Sequence, residues 1–282
     1  MVDYRVKTFI TLYETMNYRI TAERLNMSQP AVTQHIQMLE REYGCKFFIY
    51  DMRKLSCTPQ AHKFAVYCRG LLYNDKEFRA DISRTVPRTL RVGATKTIGE
   101  FVLTGAVEKY LRHNDRSLKL LVDNTEKLLR ELESGELDFA LVEGNFDKSK
   151  YASQTFRMEP FVGICAKGNP FAGRAVALEE VLSSTLILRE EGSGTRDVLE
   201  HLLGDFGYTV SNFARTVCIS NFRLLCHLIE KNIGISFVYQ AVADADNAVA
   251  TFTIKDLTII HEFCYVYLKN TDAHHLISQF ED

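Results

Sequence analysis

Apolar positions in the first part of the chain recur at three- and four-residue steps. Val6, Phe9, Ile10, Tyr13 and Met16 make one such face, which predicts an amphipathic helix stopping at Asn17. A short second helix is expected over about 20–26, with Ile20, Ala22 and Leu25 turned inward. Ser28 then offers a cap and Pro30 is tolerated in a first turn, so a third helix should run over about 29–43, with Gly44 as its stop. Val32, Ile36, Leu39 and Tyr43 form its buried stripe, while Gln29, Thr33, Gln34, Gln37 and Arg41 lie on the opposite face. Two β-prone runs, Phe47-Phe48-Ile49-Tyr50 and Leu55-Ser56-Cys57-Thr58, flank the charged turn Asp51-Met52-Arg53-Lys54. Three helices and a hairpin in this short span describe a winged helix-turn-helix.

From Pro59 a long helical stretch continues to about Val86-Pro87. Phe64, Cys68, Leu71, Asp75, Phe78 and Ile82 follow a heptad-like seam interrupted only by Asp75. A lone helix cannot bury such a stripe, so it should pair with its copy in a second chain; the alternative is that it lies against the carboxy-terminal body. Beyond Pro87 the period changes. Apolar runs at 90–93, 118–122 and 137–142 read as buried strands, separated by helical stretches at about 99–113 and 125–134. A second set comprises a short strand near Phe156, strands at 162–166, 185–189, 216–219 and 235–238, and helices at about 195–206 and 221–231. Such alternation predicts an α/β body with a mainly parallel sheet, split into two lobes.

Composition narrows the class. At 282 residues, 46% apolar and 25% charged, the chain fits a globular protein that needs no metal or disulfide staple. No apolar stretch reaches membrane-spanning length and the start lacks a secretory layout, so a cytoplasmic protein without membrane contact is expected. Residues 1–87 carry 13 Lys and Arg against 9 Asp and Glu, and the remainder 21 against 27. A polyanion would therefore be met by the amino-terminal part. The seven cysteines are scattered without a Cys-x-x-Cys pair, no His-x-x-x-His occurs, and no Gly-x-Ser-x-Gly or P-loop is present. No cofactor, metal or catalytic residue is predicted.

The segment Ser28-Gln29-Pro30-Ala31-Val32-Thr33-Gln34-His35-Ile36-Gln37-Met38-Leu39-Glu40 closely resembles the recognition helix of LysR-type transcriptional regulators. The resemblance extends back through Ala22-Glu23-Arg24-Leu25 and forward through Phe47-Phe48, Arg53 and Thr58-Pro59, and the layout after residue 87 resembles that family's effector-binding region. It implies a cytoplasmic, sequence-specific DNA-binding regulator. Its domains would be a winged helix-turn-helix over 1–58, a dimerising linker helix over 59–87 and a periplasmic-binding-protein-like (type 2) effector domain over 88–282. Within the last, lobe I would take 88–161 and 266–282 and lobe II 162–265, with crossings near Pro160-Phe161 and at about 262–265. The partners implied are operator DNA, a small anionic effector and further copies of the chain as a dimer or dimer of dimers, with RNA polymerase as a candidate contact.

Residue chemistry agrees with a DNA reader. Ser28, Gln29, Pro30, Thr33, Gln34 and Gln37 give short hydrogen-bonding or thymine-contacting groups at a helix start, and Arg53 and Lys54 at the wing tip suit phosphates. Several positions depart from the family. Thr33-Gln34 stand where Ser-Arg is common, Tyr50 stands where an arginine is common, Arg19 sits where a Ser or Thr cap is expected, and Ala61 replaces a glycine. In the body, Thr95-Lys96-Thr97 and Gly192-Ser193-Gly194-Thr195-Arg196 each follow a strand and open a helix, as do Asn124-Thr125 and Ser220. Helix starts with hydroxyls and nearby cations favour an anion, and strand ends of this kind line one cleft; ordinary helix capping is the competing reading of each residue. Cys218 and Cys226 invite comparison with the family's peroxide sensors, against inert buried thiols. Two further readings stay open: an enzyme acting on a small acid, with Glu143 or Glu191 as its acid, and a metabolite sensor without DNA affinity.

Overall fold

The computed structural model describes the chain apart from residues 1, 53, 84–86 and 144–145. Helix α1 (Tyr4–Thr15) starts at Asp3, whose carboxylate accepts the Arg5 N–H at 2.9 Å. Helix α2 (Tyr18–Leu25) is capped by Asn17, whose side-chain oxygen accepts the N–H groups of Arg19 and Ile20. The cap expected at Arg19 is thus supplied earlier, by a short amide carbonyl that can accept where a guanidinium cannot. Arg19 instead pairs with Glu23 one turn on, at 2.7 Å. Ser28 caps α3 (Gln29–Glu42), and β1 (Phe48–Asp51) and β2 (Lys54–Cys57) form the antiparallel wing.

The head is held by a ring cluster. Phe9, fully buried, meets Phe64 at 4.7 Å and Phe47 at 5.0 Å, both edge-on. The buried Glu40 carboxylate accepts the Phe47 N–H at 2.9 Å and the Lys46 ammonium at 2.6 Å, which fixes the wing against α3.

Helix α4 (Pro59–Ile82) divides its apolar stripe among different neighbours. Phe64 and Cys68 enter the head core. The next turns lie on the body: a Cβ on Gly70 would come within 2.4 Å of the Lys269 carbonyl oxygen, and Tyr73 is buried with its hydroxyl on Asp138 at 2.7 Å. Phe78 and Ile82 stay 64% and 73% exposed. Contact with the carboxy-terminal body, the alternative weighed for this helix, accounts for its middle turns only.

In the body, β3 (Thr89–Thr95) pairs in parallel with β4 (Ser117–Asp123) and β5 (Phe139–Val142). Between β3 and β4 a π-helical turn (Ile98–Val102) leads into α5 (Thr104–Leu111), and α6 (Thr125–Glu133) joins β4 to β5. The long strand β6 (Tyr151–Ala166) then runs through both lobes. Its first part pairs antiparallel with β12 (Ile260–Leu268) as far as Pro160. From Phe161 it pairs with β10 (Ser236–Tyr239) and then β11 (Val249–Ile254).

Two short strands expected near Phe156 and at 162–166 are therefore one. Burial alternates along its first half and is continuous along its second, which disguises a single strand as two patterns. The sheet is mixed, and β12 returns to the first lobe at Ile260, ahead of the expected 266, because its less apolar start already pairs with β6. Where β6 passes β11, a Cβ on Gly163 would fall 2.2 Å from the Phe252 ring, so only glycine fits.

The second lobe is completed by β7 (Ala175–Val176), α7 (Leu178–Leu182), β8 (Thr185–Leu188), α8 (Gly194–Asp205), β9 (Arg215–Cys218), α9 (Phe222–Glu230) and α10 (Gln240–Asp244). Strands β8 and β9 are parallel. Helix α11 (Ala273–Glu281) closes the first lobe, with Phe280 against Phe139 at 5.7 Å. Among the described residues no helix is long and apolar enough to cross a membrane.

Candidate functional site: a polar helix face and an inter-lobe cleft

The first α3 turns present a shallow groove of about 410 Å³ lined by Gln29, Pro30, Thr33, Gln34 and Gln37. Ser28, Gln29, Pro30, Gln34 and Gln37 are exposed and Thr33 half-exposed, its hydroxyl donating to the Gln29 carbonyl at 3.1 Å. Three amides on a helix start, clear of the core, can pair with base edges. Lys54 is exposed at the start of β2, and Arg53 lies outside the described residues. The Thr8 hydroxyl meets His35 Nδ1 at 2.9 Å, on the flank of α3 that faces α1.

The second site lies where β3, β5 and β8 end. Thr95, Thr97, Ser193 and Thr195 are all buried there. Their centre is Glu143, directly after β5. Its carboxyl accepts the hydroxyls of Thr95 at 2.9 Å, Thr97 at 2.9 Å and Thr195 at 3.2 Å. The first two come from one lobe and Thr195 from the other. Gly194 closes in so tightly that a Cβ there would stand 2.7 Å from Glu143 Cγ and from its carbonyl oxygen. Burial pushes the Glu143 carboxyl up from its ordinary value, against the hydroxyl hydrogen bonds and the Arg189 charge.

Beside this carboxyl, Lys96 reaches across the cleft to Glu190 at 3.0 Å and to the Ser220 carbonyl at 3.2 Å. Arg189 grips the same Glu190 through Nε and one terminal nitrogen, at 2.9 and 3.0 Å, and its guanidinium lies 4.1 Å from the Phe222 ring centre. Arg189 is 3% exposed and its other terminal nitrogen has no hydrogen-bond partner among the described residues. Burial disfavours the Glu190 charge, but hydrogen bonds from Arg189, its own backbone and Lys96 outweigh it and pull this carboxyl down to about 2.

The remaining expected residues separate by geometry. Asn124 caps α6, accepting the Lys127 N–H at 2.9 Å, as the capping reading holds; it also faces Gly192, whose Cβ would lie 3.9 Å from the Asn124 amide nitrogen. Ser193 makes no side-chain cap bond to α8, and the Thr125 hydroxyl is buried without a partner among the described residues. Arg196 pairs with Glu200 on its own helix at 2.7 Å and with Glu191 in the loop ahead of that helix at 3.5 Å. Glu143, Arg189, Glu190 and Phe222 were not among the expected ligand residues. The readable signal was an acid closing the apolar run Phe139-Ala140-Leu141-Val142, a position that places it at a strand's carboxyl end. Of the two acids named for the enzyme reading, Glu143 is buried in the cleft and Glu191 is exposed. Cys218 is exposed and Cys226 buried, both free, and burial pushes the Cys226 thiol up to about 11.

Comparison with known proteins bears on these sites. Residues 83–282 match the model of the LysR substrate binding domain, and residues 4–62 that of the bacterial regulatory helix-turn-helix protein, lysR family. The chain is 23% identical over 270 residues to the transcriptional regulator CysL of Bacillus subtilis, covering 93% of this chain and 89% of that protein. It is 28% identical over 210 residues to the RuBisCO operon transcriptional regulator of Allochromatium vinosum, covering 73% and 70%. Among solved structures, a full-length OxyR variant from Pseudomonas aeruginosa matches with a TM-score of 0.62 at 19% identity, covering 100% of this chain and 94% of that one. Full-length BenM matches with a TM-score of 0.61 at 18% identity, covering 100% and 95%. At such identities the structural likeness is one of fold.

Proposed function

Because the chain belongs to the LysR family of DNA-binding transcriptional regulators, we propose that it is a cytoplasmic homo-oligomer whose DNA affinity is set by a small anion held between its lobes. The observation that carries this reading is the convergence of buried hydroxyls from both lobes, with Lys96 and Arg189 beside them, on one carboxyl group. Ser28, Gln29, Pro30, Thr33, Gln34 and Gln37 read base edges, while Arg53 and Lys54 hold phosphates. Thr95, Lys96, Thr97, Asn124, Thr125, Gly192, Ser193, Gly194, Thr195 and Ser220 border the effector, and Arg196 serves through its charge.

The division proposed is a head over 1–58, a linker helix over 59–87 and an effector body over 88–282, lobe II lying between crossings at about 161 and 260. The exposed Phe78 and Ile82 on α4 are covered by a second copy of the chain. Effector binding changes lobe closure and so the spacing of heads in the oligomer; that shift is limited by the ligand's differential affinity for the two states. RNA polymerase is the natural recipient of such a change on a promoter.

Fluorescence anisotropy on duplex DNA from upstream of the protein's own gene, titrated with salt against an unrelated duplex, tests the reading. Selective binding that weakens steeply with salt is expected. Equal, weak binding to both duplexes refutes it.

A further inference from the structure

The cleft is already filled by the chain itself. The group that receives Thr95, Thr97 and Thr195 is a carboxyl, which is the chemistry expected of an anionic ligand, and it arrives covalently attached. Resting on the effector reading above, we propose that Glu143 is an internal stand-in for the effector. The effector is then a compact oxyanion, of carboxylate to sulfate or phosphate size, that takes over these three hydroxyls while Glu143 swings out.

Size follows from the space available. One carboxyl group spans the three hydroxyls, and the backbone of Gly194 already presses on its Cγ side, so a bulky group cannot replace it. Charge follows from the neighbours. Glu143 is fully buried with its oxygens occupied by hydroxyl donors, and the cations Lys96 and Arg189 share the single acid Glu190. An entering cation would meet two positive groups and no free acceptor on Glu143. An entering oxyanion would instead feel the Arg189 charge that already acts on Glu143, carried by a buried guanidinium with one terminal nitrogen free of hydrogen-bond partners among the described residues.

The exchange has a mechanical consequence. The same Glu143 oxygen accepts from Thr97 of the first lobe and Thr195 of the second, so it fastens the lobes together. A ligand that evicts it replaces a tethered fastener by a free one and resets the closure. Eviction also lowers apparent affinity, because the site is competent only in the fraction of molecules whose Glu143 is out.

The test is calorimetric titration of the full-length protein with sodium sulfate and with sodium phosphate, at constant ionic strength in chloride buffer. Glu143→Ala removes the competitor and should bind one of these anions about tenfold tighter or more than the wild type, the factor for an internal occupant present about nine times in ten. Glu143→Gln keeps an acceptor in place and should show no such gain. Glu143→Asp, one methylene shorter, should gain less and serves if the alanine variant does not fold. Adding Thr195→Val to Glu143→Ala should abolish the gain. Equal affinity in wild type and in the folded alanine or aspartate variant, or binding by none, overturns the proposal. DNA anisotropy on the same samples separates it from the effector reading. A gain in anion affinity that leaves DNA binding untouched supports the stand-in and removes the cleft's regulatory role. Altered DNA binding without that gain overturns the stand-in and keeps the cleft as a control point.

Discussion

Replacing Asp138 by alanine is expected to destabilise the protein by about 3 kcal/mol, the lower end of the range for breaking a buried ion pair. The Asp138 side chain is fully buried between α4 and the first lobe. One oxygen accepts from Tyr73 of α4 at 2.7 Å, Arg88 at 2.6 Å and Arg91 at 2.5 Å, and the other accepts the Arg91 N–H at 2.8 Å. Without it, a backbone N–H loses its acceptor and the Tyr73 hydroxyl is left to Arg88. The cost stays at the lower end because Glu77 remains bound to Arg88 at 3.0 Å and Arg91 at 2.7 Å, and the two arginines are 27% and 18% exposed.

The chain has no Trp, so urea unfolding is best followed by circular dichroism and tyrosine fluorescence together, and coincident curves are the condition for a single free energy. Tyr73→Phe should cost about 1–2 kcal/mol, and the double variant should fall short of additivity by at least about 0.5 kcal/mol, since both changes remove the same contact. The pH dependence has a definite sign. Burial opposes the Asp138 charge, but hydrogen bonds from Arg91 and Tyr73 outweigh it and hold the carboxyl below its ordinary 3.8. Its stabilisation is therefore present above pH 3.8 and lost as pH falls through the lower folded value. The gap between wild type and Asp138→Asn should narrow below that pH. An alanine variant within about 0.5 kcal/mol of wild type, the scatter of inconsequential surface changes, refutes the reasoning.

Glu143→Gln should melt progressively higher than wild type as pH rises. Burial lifts the Glu143 carboxyl above its ordinary 4.5, so the fold's advantage from its protonated form is complete below 4.5 and vanishes as pH rises through the folded value; melting curves from pH 5 to 8 that keep a constant offset would contradict this. Phe78→Asp on the exposed edge of α4 should shift sedimentation toward the monomer without lowering the melting temperature by more than a few degrees, since Phe78 is 64% exposed in the single chain. Gln34→Ala should cost about 1–3 kcal/mol of binding to the preferred duplex and leave binding to unrelated DNA nearly unchanged, measured by anisotropy at one salt concentration.

Much of this was legible locally. The helices of the head announce themselves because caps and three- to four-residue periodicity act within a turn or two: Ser28 and Pro30 mark the start of α3, and Val32, Ile36 and Leu39 mark its buried side. The cap of α2 shows the limit: position 19, where a cap was expected, holds an arginine that cannot accept, and Asn17, read as the stop of α1, accepts the N–H groups instead. Strand β6 was harder, because its neighbours change at Phe161 and with them the pattern of burial along a single strand.

What the sequence determined by itself is the kind of molecule. Periodicity and helix caps act between near neighbours, so they specify a winged helix-turn-helix, a long helix and an alternating α/β body, and they put hydroxyls and glycines at the helix starts of the cleft. Only the tertiary structure decided what those groups do. Glu143 meets Thr97, Thr95 and Thr195 across 46, 48 and 52 residues, a separation at which no local pattern records a partner. The apolar stripe of α4 is equally suited to the head, the body or another chain, and packing alone assigned Phe64 and Cys68 to the head, laid the neighbouring Tyr73 on the body and left Phe78 and Ile82 exposed. A buried contact depends on which distant surfaces the fold brings within reach, because burial and hydrogen bonding are properties of a place in space and not of a position in the chain.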